Sequence, residues 1–439
     1  MSTSKDTGKD PGKDAGKQPG ALSPRRLMQW AASPAVLDFI GRDRADAVAS
    51  FVNNHVMLKL RQRRAHAQSQ ALDEPAKAYL KTHFCRRPFN TMETTHTGLI
   101  FSCCPVYLPT PIGRLDESHR DAWHSDIAYK IRESIIDGTY SYCDHVHCPF
   151  IAGRQLEPRD SDEAREFIAH HRKGREVAPP PLQVVLSHDK SCNLACPSCR
   201  SGIYVANKAR QARLDDLTEK SLLPMLRDAS EVIITGSGDA FGSNHFRNLI
   251  KRLTASEDYK GLQLHLHTNG QLFDERAWRD LNLSGHVGVV QISIDAAEAA
   301  TYANVRRPGN FERLLKNLAF LKTKRDAGEI QHLIFSMVVQ EANYREMPDF
   351  VKMGEKFSAD SVMFNMYRQR DIFSRGEFEE AFIGDAHHTD YADFLSKLRA
   401  PEMSLPIVNL GNLAAYAPDG WLDDNKTPSG QTAVGHAAE

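Results

Sequence analysis

From residue 182 onward, short apolar runs alternate with segments whose apolar residues recur every three or four positions. The runs are Leu182–Ser187, Glu231–Thr235, Leu262–His267, Val289–Ile294, Leu333–Val339 and Ser361–Met366. Between them, Leu217–Leu226, Phe246–Leu253, Phe311–Lys324 and Met347–Phe357 carry the helical period. Repeated strand–helix units predict a parallel sheet joined by right-handed crossovers. Six such units make either a partial barrel or an open doubly wound sheet. Strands covered by helices on both faces read as continuous apolar runs, and several of these do not. Gln263, His265 and His267 alternate with Leu262, Leu264 and Leu266, and Gln291, Ser293 and Asp295 alternate with Val290, Ile292 and Ile294. Ser336 and Gln340 share one parity of the fifth run, as do Ser361, Asn365 and Tyr367 at the sixth. Period-two alternation puts each set on a single face. A solvent-wetted edge explains one such strand but hardly four. The predicted fold class is therefore α/β, a partial (β/α)6 barrel with a polar, ligand-holding lumen.

The region upstream has a different texture. Residues 1–23 repeat Gly-Lys-Asp with interleaved prolines, a composition that cannot bury a core, and predict a disordered tail. Residues 24–81 show helical spacing at Val36 and Ile40, then at Val52, Val56 and Leu60, and predict a helical arm. Residues 82–152 combine five cysteines with turn residues such as Pro88, Gly98, Pro109, Pro111 and Gly113, the signature of a small loop-rich metal domain. A linker over 153–181 contains a helical pattern at Asp162–His171 and ends at Pro179-Pro180-Pro181. The barrel is placed at 182–370, and a partly disordered C-terminal extension at 371–439.

Composition narrows the function. A 41% hydrophobic content builds ordinary cores, and a net charge of -1 offers no basic excess for phosphates, so no nucleic-acid partner is expected. No stretch approaches the ~20 apolar residues of a membrane span, and the Lys-, Asp- and Gly-rich N-terminus has no apolar signal segment. No membrane association and a cytoplasmic location are the expectations. In that reducing compartment eight cysteines read as metal ligands or catalytic thiols before disulfides. Five fall between Cys85 and Cys148, three between Cys192 and Cys199, and none later, which predicts two sites.

The later group reads Ser191-Cys192-Asn193-Leu194-Ala195-Cys196-Pro197-Ser198-Cys199-Arg200, directly after the first strand. A cubane iron–sulfur cluster is closed by four ligands, so three cysteines leave one iron open to bind substrate and pass it an electron. Structural zinc needs four ligands, and no fourth cysteine is near in sequence.

With this C-x3-C-x2-C loop, the chain resembles the radical S-adenosylmethionine superfamily, whose loop follows the first strand of a partial barrel of six strand–helix units. The resemblance implies that Cys192, Cys196 and Cys199 hold a catalytic 4Fe–4S cluster whose open iron chelates the methionine moiety of S-adenosyl-L-methionine. Reductive cleavage of the sulfonium then gives a 5′-deoxyadenosyl radical that abstracts a substrate hydrogen. Gly236-Ser237-Gly238-Asp239 resembles the family's Gly-Gly-Glu motif, with Asp239 meeting the methionine amino group although one methylene shorter than the usual Glu. Ser293 and Asp295 resemble the polar pair that meets the ribose or carboxylate, and Thr268, Asn269 and Asn343 fall at other recurring positions. Arg306 is implied to neutralise the cofactor carboxylate. All lie after strand C-termini, where barrel sites form. The family's aromatic residue before the last cysteine is Ser198 here, so adenine packing must come from elsewhere.

The earlier cysteines resemble an auxiliary-cluster domain of SPASM type, through Cys85 to Phe89, Gly98 to Cys104, Trp123, and Ile131 to Cys148. In relatives this domain follows the barrel; here it precedes it. The resemblance implies a second 4Fe–4S cluster on Cys85, Cys103, Cys143 and Cys148, with Cys104 left over as a hydrogen donor of the kind an epimerase requires. A zinc knot on the same residues stays open. The functional expectation is hydrogen abstraction from a polar substrate, a sugar, amino-sugar or other small molecule, leading to oxidation or epimerisation, with an external electron donor such as flavodoxin or ferredoxin. Modification of a ribosomal peptide is the alternative, cross-linking included, although no winged peptide-binding segment is read before Cys85. A non-catalytic iron–sulfur or zinc scaffold is the alternative from another class. Methyl transfer would need additional cysteines or a cobalamin domain.

Overall fold

The computed structural model describes residues 48–368 and 375–417. The expected tail at 1–23, the arm as far as residue 47 and much of the C-terminal extension lie outside the described residues. The described part of the arm forms helices α1 (Leu58–Gln70) and α2 (Glu74–Thr82). Asp73 caps α2 by accepting from Ala76 N at 2.8 Å.

One ten-stranded sheet organises the molecule. Its strands are β1 (Thr91–Thr95), β2 (Leu99–Phe101), β3 (Gly113–Arg114), β4 (Gln183–Ser187), β5 (Glu231–Ile234), β6 (Gln263–Thr268), β7 (Val287–Ser293), β8 (His332–Val339), β9 (Ser361–Met366) and β10 (Val408–Asn409). Their spatial order is β10-β9-β8-β7-β6-β5-β4-β1-β2-β3. Strands β4 to β9 are the six expected units, all parallel, in an α/β partial barrel. The crossover helices include α3 (Lys208–Leu217), α4 (Asn244–Ala255), α5 (Phe311–Asp326) and α6 (Met347–Lys356). Side-chain caps start three of them: Asn207 accepts from Arg210 N, Ser243 from Phe246 N and Asn310 from Arg313 N. The first crossover helix begins at Lys208, well before the expected Leu217. Its start is set by the Asn207 cap, and it runs on through a π-helical turn at Thr218–Leu222 to Leu226.

The cysteine-rich segment does not stand apart from the barrel. Strand β1 pairs in parallel with β4, Thr91 opposite Gln183 and Thr95 opposite Ser187, and β2 and β3 continue the sheet antiparallel. The segment is fastened from behind by Arg132, which is 2% exposed. Its guanidinium donates to the carbonyls of Pro88 and Trp123 and lies over the Trp123 ring at 4.1 Å. Trp123 Nε1 donates in turn to Pro179 O at 2.8 Å.

The two faces of the sheet differ. Val184, Leu186, Val232, Ile234, Leu264 and Leu266 join the continuous core with helix residues such as Leu249, Leu318 and Phe350. Fully burying each such side chain is worth roughly 1.5–3 kcal/mol. The opposite parity, Val185, Ile233, His265, His267, Gln291 and Ser336, is buried but lies outside that core. This face lines the lumen, as the alternation predicts.

Candidate active site

The loop after β4 is built to present sulfur. Its backbone is pinned at Cys192, whose N–H donates to Tyr204 O at 2.8 Å, and at Ala195, whose N–H donates to Arg307 O at 2.6 Å. Each of the three thiols has an N–H donor. Leu194 N lies 3.4 Å and Asn269 Nδ2 3.7 Å from Cys192 Sγ. Arg306 Nη1 lies 3.7 Å from Cys196 Sγ, and Arg200 Nε 3.4 Å from Cys199 Sγ. Such donors stabilise thiolate and lower its basicity, one of the means by which a protein sets an iron–sulfur potential. Without a metal, burial pushes the Cys192 thiol up to about 12 and the Cys196 thiol to about 11.

Asp239 lies at the centre of this arrangement. Its Oδ1 accepts from Phe241 N (3.0 Å) and Gly242 N (2.8 Å), and its Oδ2 from Thr268 Oγ1 (2.9 Å) and Asn269 N (2.7 Å). Its own N–H donates to Ser191 O at 2.9 Å. The carboxylate expected to meet a methionine amino group therefore already accepts four hydrogen bonds, and in this structure it ties the β5 and β6 loops to the cysteine loop. Two glycines pack tightly here. A Cβ on Gly236 would lie 2.4 Å from Ser187 Oγ, and one on Gly238 would lie 2.5 Å from Asp189 O. Asn269 joins this network through its side chain, donating to Asn193 Oδ1 at 3.0 Å.

Asp295 follows β7 with φ 63°, in the left-handed region. Its Oδ1 accepts from Val338 N at 2.8 Å, and its Oδ2 forms an ion pair with Arg306 Nη2 at 2.8 Å. Arg306 is thus paired with a protein carboxylate. Burial works against its charge, but Asp295 and Cys196 hold it above the ordinary range. Asn343 is 1% exposed; its Nδ2 donates to Asp295 O and Val338 O, and its Oδ1 accepts from Gln340 N, so it clamps the Asp295 turn. Ser293 is half-buried at the end of β7 and within 3.3 Å of Ser336 Oγ. Two further residues were not singled out from sequence. Asp189 accepts from Ser191 N, Ser191 Oγ and Ser243 Oγ, and Arg200 donates to Lys190 O and Ser237 O. Both brace the cysteine loop. Their proximity to the cysteines along the chain was the available signal.

The five upstream cysteines line one pocket whose other walls include Leu108, Tyr140, Phe150 and Ile151. The charges of Cys85, Cys103, Cys143 and Cys148 act on one another, Cys104 acts on Cys103, and burial followed by the Glu93 charge acts on Cys104. Burial pushes Cys85 and Cys104 up to about 12 and raises Cys103, Cys143 and Cys148. Among the described residues, no three His, Cys, Asp or Glu side chains converge on a point that could hold a single metal ion.

Glu93 was also missed. It lies on β1 opposite Val185, on the lumen face, and is 8% exposed. Burial pushes its carboxyl up to about 8, with the Arg87 charge acting in the opposite sense. Its only signal in sequence is an isolated acid within a threonine-rich run just before the Cys103-Cys104 pair.

A parallel α/β partial barrel that presents three donor-supported thiols beyond its first strand defines a class of iron–sulfur enzyme. The family model described as Radical SAM superfamily matches residues 186–354, from the end of β4 into α6. A 4Fe–4S cluster and S-adenosylmethionine are the cofactors of that superfamily. The chain is 30% identical over 193 residues to AdoMet-dependent heme synthase of Nitratidesulfovibrio vulgaris, covering 44% of this chain and 50% of that protein. It is 28% identical over 188 residues to PqqA peptide cyclase of Xanthomonas euvesicatoria pv. vesicatoria, covering 42% and 47%. The chain thus spans about half the length of the curated relatives it matches. Among solved structures, anSMEcpe with bound AdoMet and Kp18Cys peptide shares 18% identity over 50% of this chain and 59% of that one, at a TM-score of 0.36. SuiB of Streptococcus suis bound to S-adenosylmethionine shares 15% over 57% of each, at 0.32. No described helix is long and apolar enough to cross a membrane.

Asp239→Asn turns an amide NH2 toward donors that now meet a carboxylate oxygen. The variant is expected to lose roughly 2–4 kcal/mol of stability in urea denaturation. It should also retain less iron after reconstitution than the unaltered protein.

Proposed function

We propose that the protein is a radical S-adenosylmethionine enzyme that abstracts a hydrogen atom from a polar substrate held in the lumen. The observation that carries this reading is the three-thiol loop in which every sulfur has its own N–H donor. Cys192, Cys196 and Cys199 would hold the catalytic cluster, and Gly236 and Gly238 let the loop after β5 pack closely against Ser187 and the Asp189 carbonyl. Thr268, Asn269 and Asp239 fix the loop ends that border the lumen. Ser293, and Asp295 with its Arg306 partner, offer polar groups along its far side. The bound cofactors supply a strong one-electron reductant and a primary carbon radical. The chain's part is to orient substrate beneath them and exclude competing hydrogen donors.

Cys85, Cys103, Cys143 and Cys148 would hold the auxiliary cluster, with electrons drawn from an external donor of flavodoxin or ferredoxin type. The relative named as a peptide cyclase favours a peptide over the free sugar or small molecule expected from the polar lumen alone. Oxidation, cross-linking and epimerisation all begin with the same abstraction. Epimerisation would give a task to Cys104, the fifth thiol of the pocket, which lies near enough to Glu93 for their charges to interact. From there its S–H can give a hydrogen atom to the substrate carbon radical, forming C–H and a thiyl that one electron and one proton restore.

Anaerobically reconstituted protein given S-adenosylmethionine and dithionite is expected to form 5′-deoxyadenosine, and Cys196→Ala to form none. No formation by protein with full iron loading would overturn the reading in favour of a non-catalytic scaffold. For Cys104→Ala the expectation is normal iron content with an altered product distribution by chiral analysis; an unchanged distribution removes Cys104 from the reaction.

A further inference from the structure

Glu93 is a buried acid that the scheme above leaves without a task. Its strand neighbours point away from the lumen: Met92 joins the core, and Thr94 Oγ1 bonds Val185 O and His188 Nδ1. Period two therefore turns Glu93 inward. Among the described residues it accepts no hydrogen bond and makes no ion pair within 4 Å. Arg87, whose charge it feels, packs its guanidinium over the Phe150 ring at 4.5 Å. A carboxylate removed from water without donors is unfavourable, and native structures retain such groups where something else supplies the donors.

The same face carries buried polar atoms without partners. His265 Nδ1, both ring nitrogens of His267 and Gln291 Oε1 are buried without hydrogen-bond partners. Register places Glu93, Val185, Ile233 and His265 in one row across β1, β4, β5 and β6. His267 and Gln291 pair one level nearer the cysteine loop. Burial holds the His267 imidazole neutral, down at about 4. One side of the lumen thus carries an acid that burial favours in its protonated form until a cation is brought beside it, and the other carries neutral imidazole. The cations around the cysteine loop have partners of their own, Arg306 in Asp295, Arg200 in backbone carbonyls and Lys190 in the Tyr204 ring.

Building on the proposed radical chemistry, we propose that Glu93 is a specificity-determining residue that binds a cationic nitrogen of the substrate, an ammonium or guanidinium, while His265, His267 and Gln291 hydrogen-bond its polar remainder. A charge-assisted pair in a water-poor lumen fixes position more firmly than a neutral contact. It selects against anionic substrates because beside them the acid stays protonated and no charge-assisted pair forms. A lysine or arginine of a peptide and an amino sugar both present this chemistry.

The test uses the transfer of substrate hydrogen to 5′-deoxyadenosine. Reconstituted holoenzyme, S-adenosylmethionine and dithionite are incubated with extract of bacteria grown in D2O, separated on a cation exchanger at neutral pH into retained and unretained fractions. Deuterium is expected in 5′-deoxyadenosine from the retained fraction, at least tenfold above the unretained one. Acetic anhydride treatment of that fraction abolishes transfer for an ammonium and spares a guanidinium. Trypsin pre-digestion abolishes it for a peptide and spares an amino sugar. Glu93→Gln, with iron content equal to that of the unaltered protein, is expected to lower transfer at least tenfold, and Glu93→Asp to restore part of it. Transfer from the unretained fraction, undiminished transfer by Glu93→Gln, or 5′-deoxyadenosine without deuterium from the retained fraction overturns the inference alone. Absence of 5′-deoxyadenosine from iron-loaded protein with every fraction overturns the radical reading, and this inference with it.

Discussion

The site depends on one buried carboxylate. Asp239 accepts from two backbone N–H groups of its own loop and from a hydroxyl and an N–H of the β6 loop, while its own N–H holds Ser191 beside Cys192. Three loops that meet at the mouth of the barrel are thereby fixed to a single point. A buried anion tolerates this position because its acceptor sites are met by donors. The space around it is equally constrained, since Gly238 admits no Cβ against the Asp189 carbonyl. Loops are ordinarily the most variable parts of a barrel, and here the chemistry of the loop needs sulfur atoms held in a fixed triangle.

The cysteine-rich segment depends on a second constraint, the parallel pairing of β1 with β4. By extending the barrel sheet instead of packing as a separate lobe, the chain brings the five-cysteine pocket against the wall of the lumen. Cys104 and Glu93 occupy the boundary, close enough for their charges to interact. A reaction in the lumen and an electron reservoir in the pocket would then share one sheet, with no moving interface between them.

Much of this was legible along the chain. The six barrel strands appear within a residue or two of their apolar runs because each needs an apolar face against helices, and the polar parity of β6 to β9 shows the lumen for the same reason. The three-cysteine loop is legible because its spacing is local. What escaped is non-local or competitive. The pairing of Thr91–Thr95 with Gln183–Ser187 joins residues about ninety positions apart, and nothing in either segment specifies the other. Asp239 reads as a ligand-facing acid until its four donors, two from a different loop, are seen to occupy it. Arg306 likewise reads as free for a cofactor carboxylate until Asp295 is found beside it. Glu93 is silent because one acid in a threonine-rich strand has the pattern of an exposed edge, and its burial is created by β4 and β2 on either side.

The central claim is that one chain holds two clusters of different kinds, one open to S-adenosylmethionine and one closed by four cysteines. Electron paramagnetic resonance of the dithionite-reduced protein, with and without S-adenosylmethionine, tests it most directly. The account predicts two overlapping 4Fe–4S signals, of which one shifts on addition of S-adenosylmethionine and disappears in Cys196→Ala, while the other is unchanged by both. A single signal, or two that are both indifferent to S-adenosylmethionine, would contradict it.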